Sequence, residues 1–404
     1  MANTFKTLSD GDIVREALAL FHNESKFLKT INKQYDNRFA REGAKNGGSL
    51  LIRNPNQYEV TDGAVMTAQD QAETTQTLTV ATQKHIGMNF TSVEQTMSVD
   101  DFRERYLKPA MSKLAAIVES TCLNAMYKDV FNLTGTPATT PASLLAVLNA
   151  GARLSQNLAP TSDRSILFDS TAMAATVNGI GTYFHKSSEV ERGFSTGALG
   201  HAGGFDFYES NMVPSHTNGS RDDTTPVMDT STIANGDTTF TTTGADGTLK
   251  AGDVFTVAGV YAVNPETKVA YSHLQQFVVT ADKTLDATDV ISIAPTVYIS
   301  GARQNISVTS AGAGKALVFV AAGGSGAAST AYTQNLAYHR DAFTFVSADL
   351  YKMPNESMTS AVIDNVSMRL WKGSDIINDK FPVRIDVLFG YKTLRPEWAV
   401  RVRG

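Results

Sequence analysis

Seven histidines are the residues of this sequence best suited to acid–base or metal chemistry. They are His22, His85, His185, His201, His216, His273 and His339. No two are separated by the three or four residues that would place them together on one helix face as metal ligands. We therefore expect each histidine to be structural or exposed rather than catalytic.

Other patterns that could carry chemistry are equally weak. Asp222 and Asp223, followed by Asp229 and Asp237, could ligate a hard cation, but they lack the spacing of a known calcium loop, which favours a solvated turn. Neither a Gly-x-Ser-x-Gly elbow nor a dinucleotide fingerprint occurs, and the glycine-rich run 193–204 lacks the Gly-Lys-Ser/Thr ending of a phosphate loop. We predict no catalytic residue, no cofactor, no metal site and hence no enzyme.

Composition excludes several further classes of protein. Hydrophobic residues make up 42% of the 404 residues and charged residues 19%, which is typical of a globular chain with a core. The formal net charge of −5 argues against a protein that holds nucleic acid by its phosphates. Cys122 is the one cysteine, so an intrachain disulfide is excluded. We expect neither a secretory signal nor a membrane span.

The longest helical pattern runs from Ser98 to Phe131. Apolar and small residues recur with the helical period of 3.6 after Pro109, which we expect to start the main helix or to kink it. These residues are Met111, Leu114, Ile117, Val118, Cys122, Ala125 and Met126. Leu114 and Val118 are therefore predicted to be buried.

Two further elements precede this helix. Asp10–Lys29 is predicted to be an amphipathic helix, and we interpret it either as an arm that docks elsewhere or as a frayed terminus. Ser49–Arg53 and Gln76–Thr82 read as the strands of a long hairpin. Such a hairpin is only marginally stable alone, so it should rest on a neighbour.

The composition changes at about Thr224 to short alternating strands separated by Gly, Asn and Asp, and this persists to about Tyr332. The pattern predicts an inserted β-barrel or sandwich, long enough to fold independently. Beyond it, Pro382–Gly390 and Trp398–Val402 are predicted to be strands that pair with each other or lie beside the long helix. The fold class from the residues alone is mixed α and β.

The order of these parts resembles the major capsid protein of tailed bacteriophages, with its Hong Kong 97-type fold. It is most similar to the coat proteins of the short-tailed Salmonella phage group, which carry an inserted β-barrel. The motifs that carry the resemblance are Leu249-Lys250-Ala251-Gly252-Asp253, Val257-Ala258-Gly259-Val260, Arg340-Asp341-Ala342, Phe389-Gly390-Tyr391 and Leu394-Arg395-Pro396-Glu397.

The resemblance implies an α+β domain organisation with separate parts along the chain. These are an N-terminal arm (1–38), the first part of a peripheral domain (39–131) with an extended loop (44–88) and a spine helix (109–131), an axial domain in two parts (132–223 and 333–375), the inserted barrel (224–332) and C-terminal peripheral strands (376–404). Residues that we expect to matter for structure or assembly are Leu114, Val118, Gly252, Asp253, Gly390, Arg395, Pro396 and Glu397.

By the same resemblance the protein would form the icosahedral head shell as hexamers and pentamers, through a scaffold-guided procapsid that matures on DNA packaging. Its partners would be further copies of itself, a scaffolding protein, a portal protein and a decoration protein. The shell would enclose double-stranded DNA without sequence-specific binding, and the protein would be assembled in the host cytoplasm and reside in the virion. The alternative is a phage fibre or adhesin-like protein whose β module binds a receptor.

Overall fold

The fold is described from a computed structural model. The described residues are 10–36, 49–91 apart from 61, 65, 67 and 69–72, 103–180, 200–308 apart from 222–225, 230–232, 245 and 287, 314–320, and 331–404 apart from 354–356 and 379. The predicted start of the long helix, residues 98–102, lies outside them, as do most of the glycine-rich run 193–204 and the acidic pair Asp222 and Asp223.

The described residues form five α-helices and a larger number of short strands. The helices are α1 (Asp10–Glu24), α2 (Phe27–Thr30), α3 (Lys108–Met126), α4 (Leu144–Gln156) and α5 (Ser170–Ile180). The strands are β1 (Asn32–Asp36), β2 (Ser49–Arg53), β3 (Thr75–Thr79), β4 (Thr82–Thr91), β5 (Leu133–Thr134), β6 (Arg164–Phe168), β7 (His201–Ala202), β8 (Phe205–Glu209), β9 (Ser215–Thr217), β10 (Val227–Met228), β11 (Asp237–Thr243), β12 (Gly247–Leu249), β13 (Val254–Val263), β14 (Ala270–Val279), β15 (Lys283–Leu285), β16 (Thr288–Val297), β17 (Ile306–Val308), β18 (Leu317–Phe319), β19 (Ala331–Thr333), β20 (Asn335–His339), β21 (Phe343–Ala348), β22 (Ser357–Ile363), β23 (Val366–Lys372), β24 (Lys380–Thr393) and β25 (Ala399–Val402).

The chain divides into two compact units. The first comprises residues 1–53, 75–122 and 343–394, and the second comprises 54–74, 123–342 and 395–404. The first unit is built on a sheet with the strand order β1-β21-β24-β23-β22, and β4 pairs with β24 as well. Three strands of this sheet, β21, β22 and β23, lie within residues 333–375, which the resemblance assigned to the axial domain.

The N-terminal helix belongs to the core of the first unit. Of its predicted apolar side, Val14, Leu18 and Phe21 are each at most 2% exposed, and α1 packs against β22 and β23. Phe27 in α2 is fully buried and meets Phe343 edge-on, with 5.6 Å between ring centroids. The interpretation of this segment as a docking arm or a frayed terminus is therefore wrong for residues 10–30, because its apolar side chains are already covered within the unit.

The predicted hairpin is confirmed at its base. β2 and β3 pair antiparallel, with Leu50 opposite Leu78. Leu78 is fully buried and clusters with Val346 and the half-buried Leu388 of the sheet. The hairpin therefore rests on the sheet of its own unit, which supplies the apolar surface that two strands alone lack.

The long helix is confirmed, with shifted ends. A π-helical turn, Arg103–Leu107, leads into α3, and a 3₁₀ turn, Tyr127–Asp129, follows it. Pro109 is its second residue, where the missing N–H costs no helical hydrogen bond. Ile117, predicted to lie in the buried stripe, is 39% exposed, whereas the rest of that stripe is buried or half-buried.

Of the two arrangements predicted for the last two strands, pairing with each other is wrong, and a position beside the long helix stays a prediction. β24 pairs with β4 along one edge and with β23 and β21 along the other. Both edges of this strand are therefore already paired, and β25 cannot pair with it there. A 3₁₀ turn at Pro396–Trp398 follows β24 and changes the direction of the chain. The next strand, β25, pairs with β20 and β5 of the second unit. The sheet of that unit has the order β5-β25-β20-β6-β8-β7.

The predicted inserted β-barrel is confirmed. Its sheet runs β10-β11-β16-β14-β13, and β13 pairs with β17 and β18. A bridge between Val227 and Ala316 joins the two ends of this order and closes the barrel. Alternate residues point inward to a core that includes Phe240, Phe255 and Phe277.

The barrel is not packed as an isolated insert. Val254 and Val278 form a common apolar cluster with Phe131 and Leu133, which precede it in the chain. The side chain of Gln276 accepts a hydrogen bond from the Leu133 backbone N–H (2.8 Å) and donates one to its carbonyl (2.9 Å). An amide side chain thus takes the place of a pairing strand at this junction.

Candidate functional site: a buried polar cluster beside the barrel

A group of buried polar side chains in the second unit surrounds Asp253, one of the residues predicted to matter. Asp253 is 3% exposed. One carboxylate oxygen lies 2.8 Å from His216 Nε2. The other accepts hydrogen bonds from the backbone N–H groups of Gly219 (3.2 Å) and Lys250 (3.0 Å) and lies 3.5 Å from Arg221 Nη1. A single carboxylate therefore ties residues 216–221, which precede the barrel, to the turn between β12 and β13.

His216 has a defined tautomer in this cluster. Burial lowers the pKa of His216 below its ordinary value, although its hydrogen bond to Asp253 opposes the shift. A carboxylate can only accept, so Nε2 of the neutral ring carries the proton. Nδ1 then accepts from the Tyr127 hydroxyl at 3.0 Å. Tyr127, which directly follows α3, is thereby linked to the barrel.

Arg401 completes the cluster from β25. It is fully buried, and burial lowers its pKa to about 10, so it remains charged at neutral pH. Its guanidinium donates to the carbonyls of Gly252 (2.7 Å) and Lys128 (3.4 Å) and lies over the Tyr127 ring at 5.4 Å. One side chain thus binds the barrel and the turn after α3 together.

Gly252 is glycine for a geometric reason. Its φ of +106° is a conformation that other residues rarely adopt, and an added Cβ would lie 3.0 Å from His216 Cε1. The close approach lets the Gly252 carbonyl reach Arg401 while Asp253 reaches His216. The predicted pair Gly252 and Asp253 is therefore placed at the centre of the cluster.

The hydrogen-bonded series Tyr127, His216 and Asp253 resembles the nucleophile, base and orienting acid of a catalytic triad. However, all three side chains are shielded from solvent. Tyr127, His216 and Asp253 are each at most 4% exposed. A catalytic group must reach its substrate, which these side chains do not do within the second unit. What the arrangement can do is hold three chain segments in one geometry.

The other predicted residues of the second unit lie at the turn before β25. The Arg395 guanidinium stacks on the Trp398 ring at 4.1 Å. Pro396 opens the 3₁₀ turn, and the Glu397 carbonyl accepts from Asn132 Nδ2 at 3.2 Å. Burial raises the pKa of the Glu397 carboxyl, which Arg395 opposes. These contacts fix the direction in which β25 leaves the turn.

Leu114, Val118 and Gly390 lie in the first unit. Leu114 is 4% exposed and Val118 is fully buried. Gly390 lies in β24, where an added Cβ would come within 2.4 Å of the Thr79 carbonyl oxygen. The predicted residues therefore do not form one site: three support the first unit and five the second.

Replacing Asp253 by alanine should cost about 3 to 5 kcal/mol of unfolding free energy, because it leaves the Arg221 charge and the His216 N–H buried without their carboxylate. Chemical denaturation of the purified protein measures this. Asp282→Ala is the control, since Asp282 is 60% exposed and contacts Lys250 at the surface, where an ion pair contributes less than about 1 kcal/mol. Equal effects of the two substitutions would show that the cluster adds no stability.

Gly390→Val should detach the hairpin β2–β3 from the sheet, because its side chain would overlap the Thr79 backbone. Overpacking of this kind costs about 1 to 3 kcal/mol or more. Hydrogen exchange of residues 75–79 should rise relative to the wild type. Gly87→Val is the matched control, since a Cβ at that β4 position meets nothing within 4 Å. Unchanged exchange in Gly390→Val would refute this role.

Sequence reasoning missed most of the cluster. The sequence predicts Tyr127 to be part of the long helix, His216 to be a structural or exposed histidine and Arg401 to be a strand residue. The one available signal was Arg401 itself, a charge within the otherwise apolar Ala399–Val402, where burial on both faces demands partners.

Neither a metal-binding group nor a membrane-spanning helix occurs among the described residues. No group of three or more His, Cys, Asp or Glu among them is placed to hold a metal ion. No helix in the described part of the chain is long and apolar enough to cross a membrane.

Comparison with solved structures gives matches at low sequence identity and with TM-scores below 0.5. A Mycobacterium phage Che8 structure is 12% identical, with 93% of this chain and 90% of that chain covered and a TM-score of 0.46. The capsid of the cyanophage P-SCSP1u is 12% identical, with 94% and 88% covered and a TM-score of 0.45. The capsid of Ralstonia phage GP4 is 6% identical, with 100% and 95% covered and a TM-score of 0.42.

No curated protein matches this sequence closely enough to count as a relative. A family model does: the one described as "P22 coat protein - gene protein 5" matches residues 13–404. The match spans both units and the inserted barrel, and it confirms the resemblance noted from the sequence motifs. The chain belongs to the P22 coat protein family.

Proposed function

We propose that this chain is the major capsid protein of a tailed bacteriophage, which self-assembles into the icosahedral head shell of the virion. The observation that carries the proposal is the coat-protein family match over residues 13–404. A mixed α and β fold with an inserted barrel, the organisation expected for that family, supports it. The chain acts as a structural protein in this proposal, not as an enzyme.

The assembly would proceed through a procapsid, guided by a scaffolding protein and built around a portal, with hexamers and pentamers of this chain as its units. A decoration protein would be a further partner. The net charge of −5 fits a wall that encloses double-stranded DNA without binding it tightly, because phosphate binding requires a basic surface.

Within this proposal the barrel keeps its predicted bounds, 224–332. We assign the peripheral domain to the first unit, so that residues 343–375 join it through the pairing of β21 and β23 with β24. The axial domain then comprises the described part of 132–223 together with β20 and β25, which pair with each other.

Sedimentation of the expressed protein, with and without its phage's scaffolding protein, tests the proposal. We expect most of the protein to sediment as large particles in both preparations. Without scaffolding protein the particles should consist of this chain, and with it they should contain this chain and the scaffolding protein. A receptor-binding fibre or adhesin would instead sediment as a small oligomer in both preparations, and that result would refute the proposal.

A further inference from the structure

The chain enters and leaves the inserted barrel through one pair of strands. β9 precedes the barrel and β19 follows it, and the two strands pair antiparallel with His216 opposite Tyr332. His216 is 3% exposed, and its ring meets the Tyr332 ring edge-on with 6.1 Å between the centroids. A titratable side chain is therefore buried in this strand pair, the stem of the barrel.

The hydrogen bonds of His216 join the stem to two other segments, and one of them requires a neutral ring. Nε2 donates to Asp253 in the turn between β12 and β13, and Nδ1 accepts from the Tyr127 hydroxyl in the turn after α3. Lys128, the next residue of that turn, is exposed. Protonation makes Nδ1 a donor, so the ring then no longer accepts the hydrogen bond from Tyr127.

The charges around the ring also favour its neutral form. Asp253 carries the negative charge that His216 contacts, but it is shared with Arg221, whose Nη1 lies 3.5 Å from the carboxylate. Arg401 is fully buried and Arg403 is 3% exposed, and the charge of each acts against protonation of His216. Within this cluster one carboxylate is set against three guanidinium groups. A protonated ring would add a fourth positive charge away from water.

Opening of the stem is therefore coupled to pH. Burial lowers the pKa of His216 below its ordinary value of about 6.5, and Asp253 offsets only part of the shift. When the stem opens, water reaches the ring and its pKa returns toward that ordinary value. The open form then binds a proton that the closed form excludes. As the pH falls below about 6.5, the equilibrium constant for opening rises by at most about tenfold per pH unit, and above about pH 7 it is constant.

We propose that His216 is an acid-sensitive contact at the stem of the barrel, whose protonation favours separation of β9 from the turn that carries Asp253. The barrel itself stays folded, because its core consists of apolar side chains such as Phe240, Phe255 and Phe277. The inference concerns the folded subunit and does not depend on the proposed shell function.

Hydrogen exchange of the full-length, unassembled protein tests the proposal. Protection factors are used, because they divide out the direct effect of pH on the exchange chemistry. For residues 215–221 we expect protection to fall by roughly tenfold between about pH 7 and about pH 5. Residues 288–297, which form β16 of the barrel, should keep their protection over the same range.

His216→Gln should remove the pH dependence of residues 215–221, because glutamine does not titrate. His273→Gln is the matched control. His273 is a half-buried histidine of β14 that stacks on the Tyr271 ring at 5.2 Å, away from the stem strands, and this variant should respond to pH like the wild type. The same pH dependence in His216→Gln as in the wild type would overturn the inference.

The wild type alone gives a second test, which holds even where His216→Gln does not fold. Protection of residues 215–221 that is independent of pH would overturn the proposal. The same is true if nuclear magnetic resonance shows the His216 ring titrating near its ordinary pKa of about 6.5 while these residues stay protected.

Discussion

Replacing Val118 by aspartate should abolish soluble, assembly-competent protein. Val118 is fully buried in α3, so the substitution removes apolar contacts and places a carboxylate in the interior, away from water. The core loss alone costs about 2 to 5 kcal/mol, and the buried charge adds to it. A polar residue at Leu114, which is 4% exposed, should have the same effect. Soluble yield and the fraction of protein in shells measure the outcome.

The adjacent Ile117 provides the control, because it lies on the same helix but is 39% exposed. Ile117→Asp should change the unfolding free energy by about 0.5 kcal/mol or less, as surface substitutions usually do. Normal shells from Val118→Asp would mean that the buried face of α3 has been assigned to the wrong residues.

Deleting residues 1–29 should prevent the first unit from folding. The deletion removes Phe21 and Phe27, and the loss of two buried phenylalanines corresponds to about 6 to 10 kcal/mol, which is comparable to the whole stability of a typical domain. The deletion also removes two hydrogen bonds to the carboxylate of Glu119, which is 2% exposed. They are donated by the backbone N–H groups of Lys26 (2.8 Å) and Phe27.

The shorter deletion of residues 1–9 is the control, because it leaves α1 and α2 in place. It should retain a wild-type unfolding transition, measured by circular dichroism and denaturant titration. If the 1–29 deletion also unfolds like the wild type and fails only to assemble, the segment is a docking arm after all.

The predictable parts of the fold were those in which the sequence pattern is set by local burial. The period of 3.6 in α3 marked Leu114 and Val118, because a helix with one buried face must repeat its apolar residues. Alternation marked the barrel strands for the same reason. Ile117 shows the limit, since the apolar stripe did not indicate where burial ends.

Pairing between distant segments could not be predicted in this way. Nothing local distinguishes β25 as a partner of β20 rather than of β24, because the outcome depends on which edges other strands have already taken. The cluster around Asp253 has the same character: it joins residues from 127 to 401, and of these only Arg401 stands out from its local sequence. The family motif marked Gly252 and Asp253, but only the fold explains them.

An icosahedral cryo-electron microscopy reconstruction of particles formed by this chain tests the central claim most directly. We predict closed shells in which each subunit's density contains both units and the closed barrel. A stable monomer under every condition, including with the scaffolding protein present, would contradict the assignment of this chain as a capsid subunit.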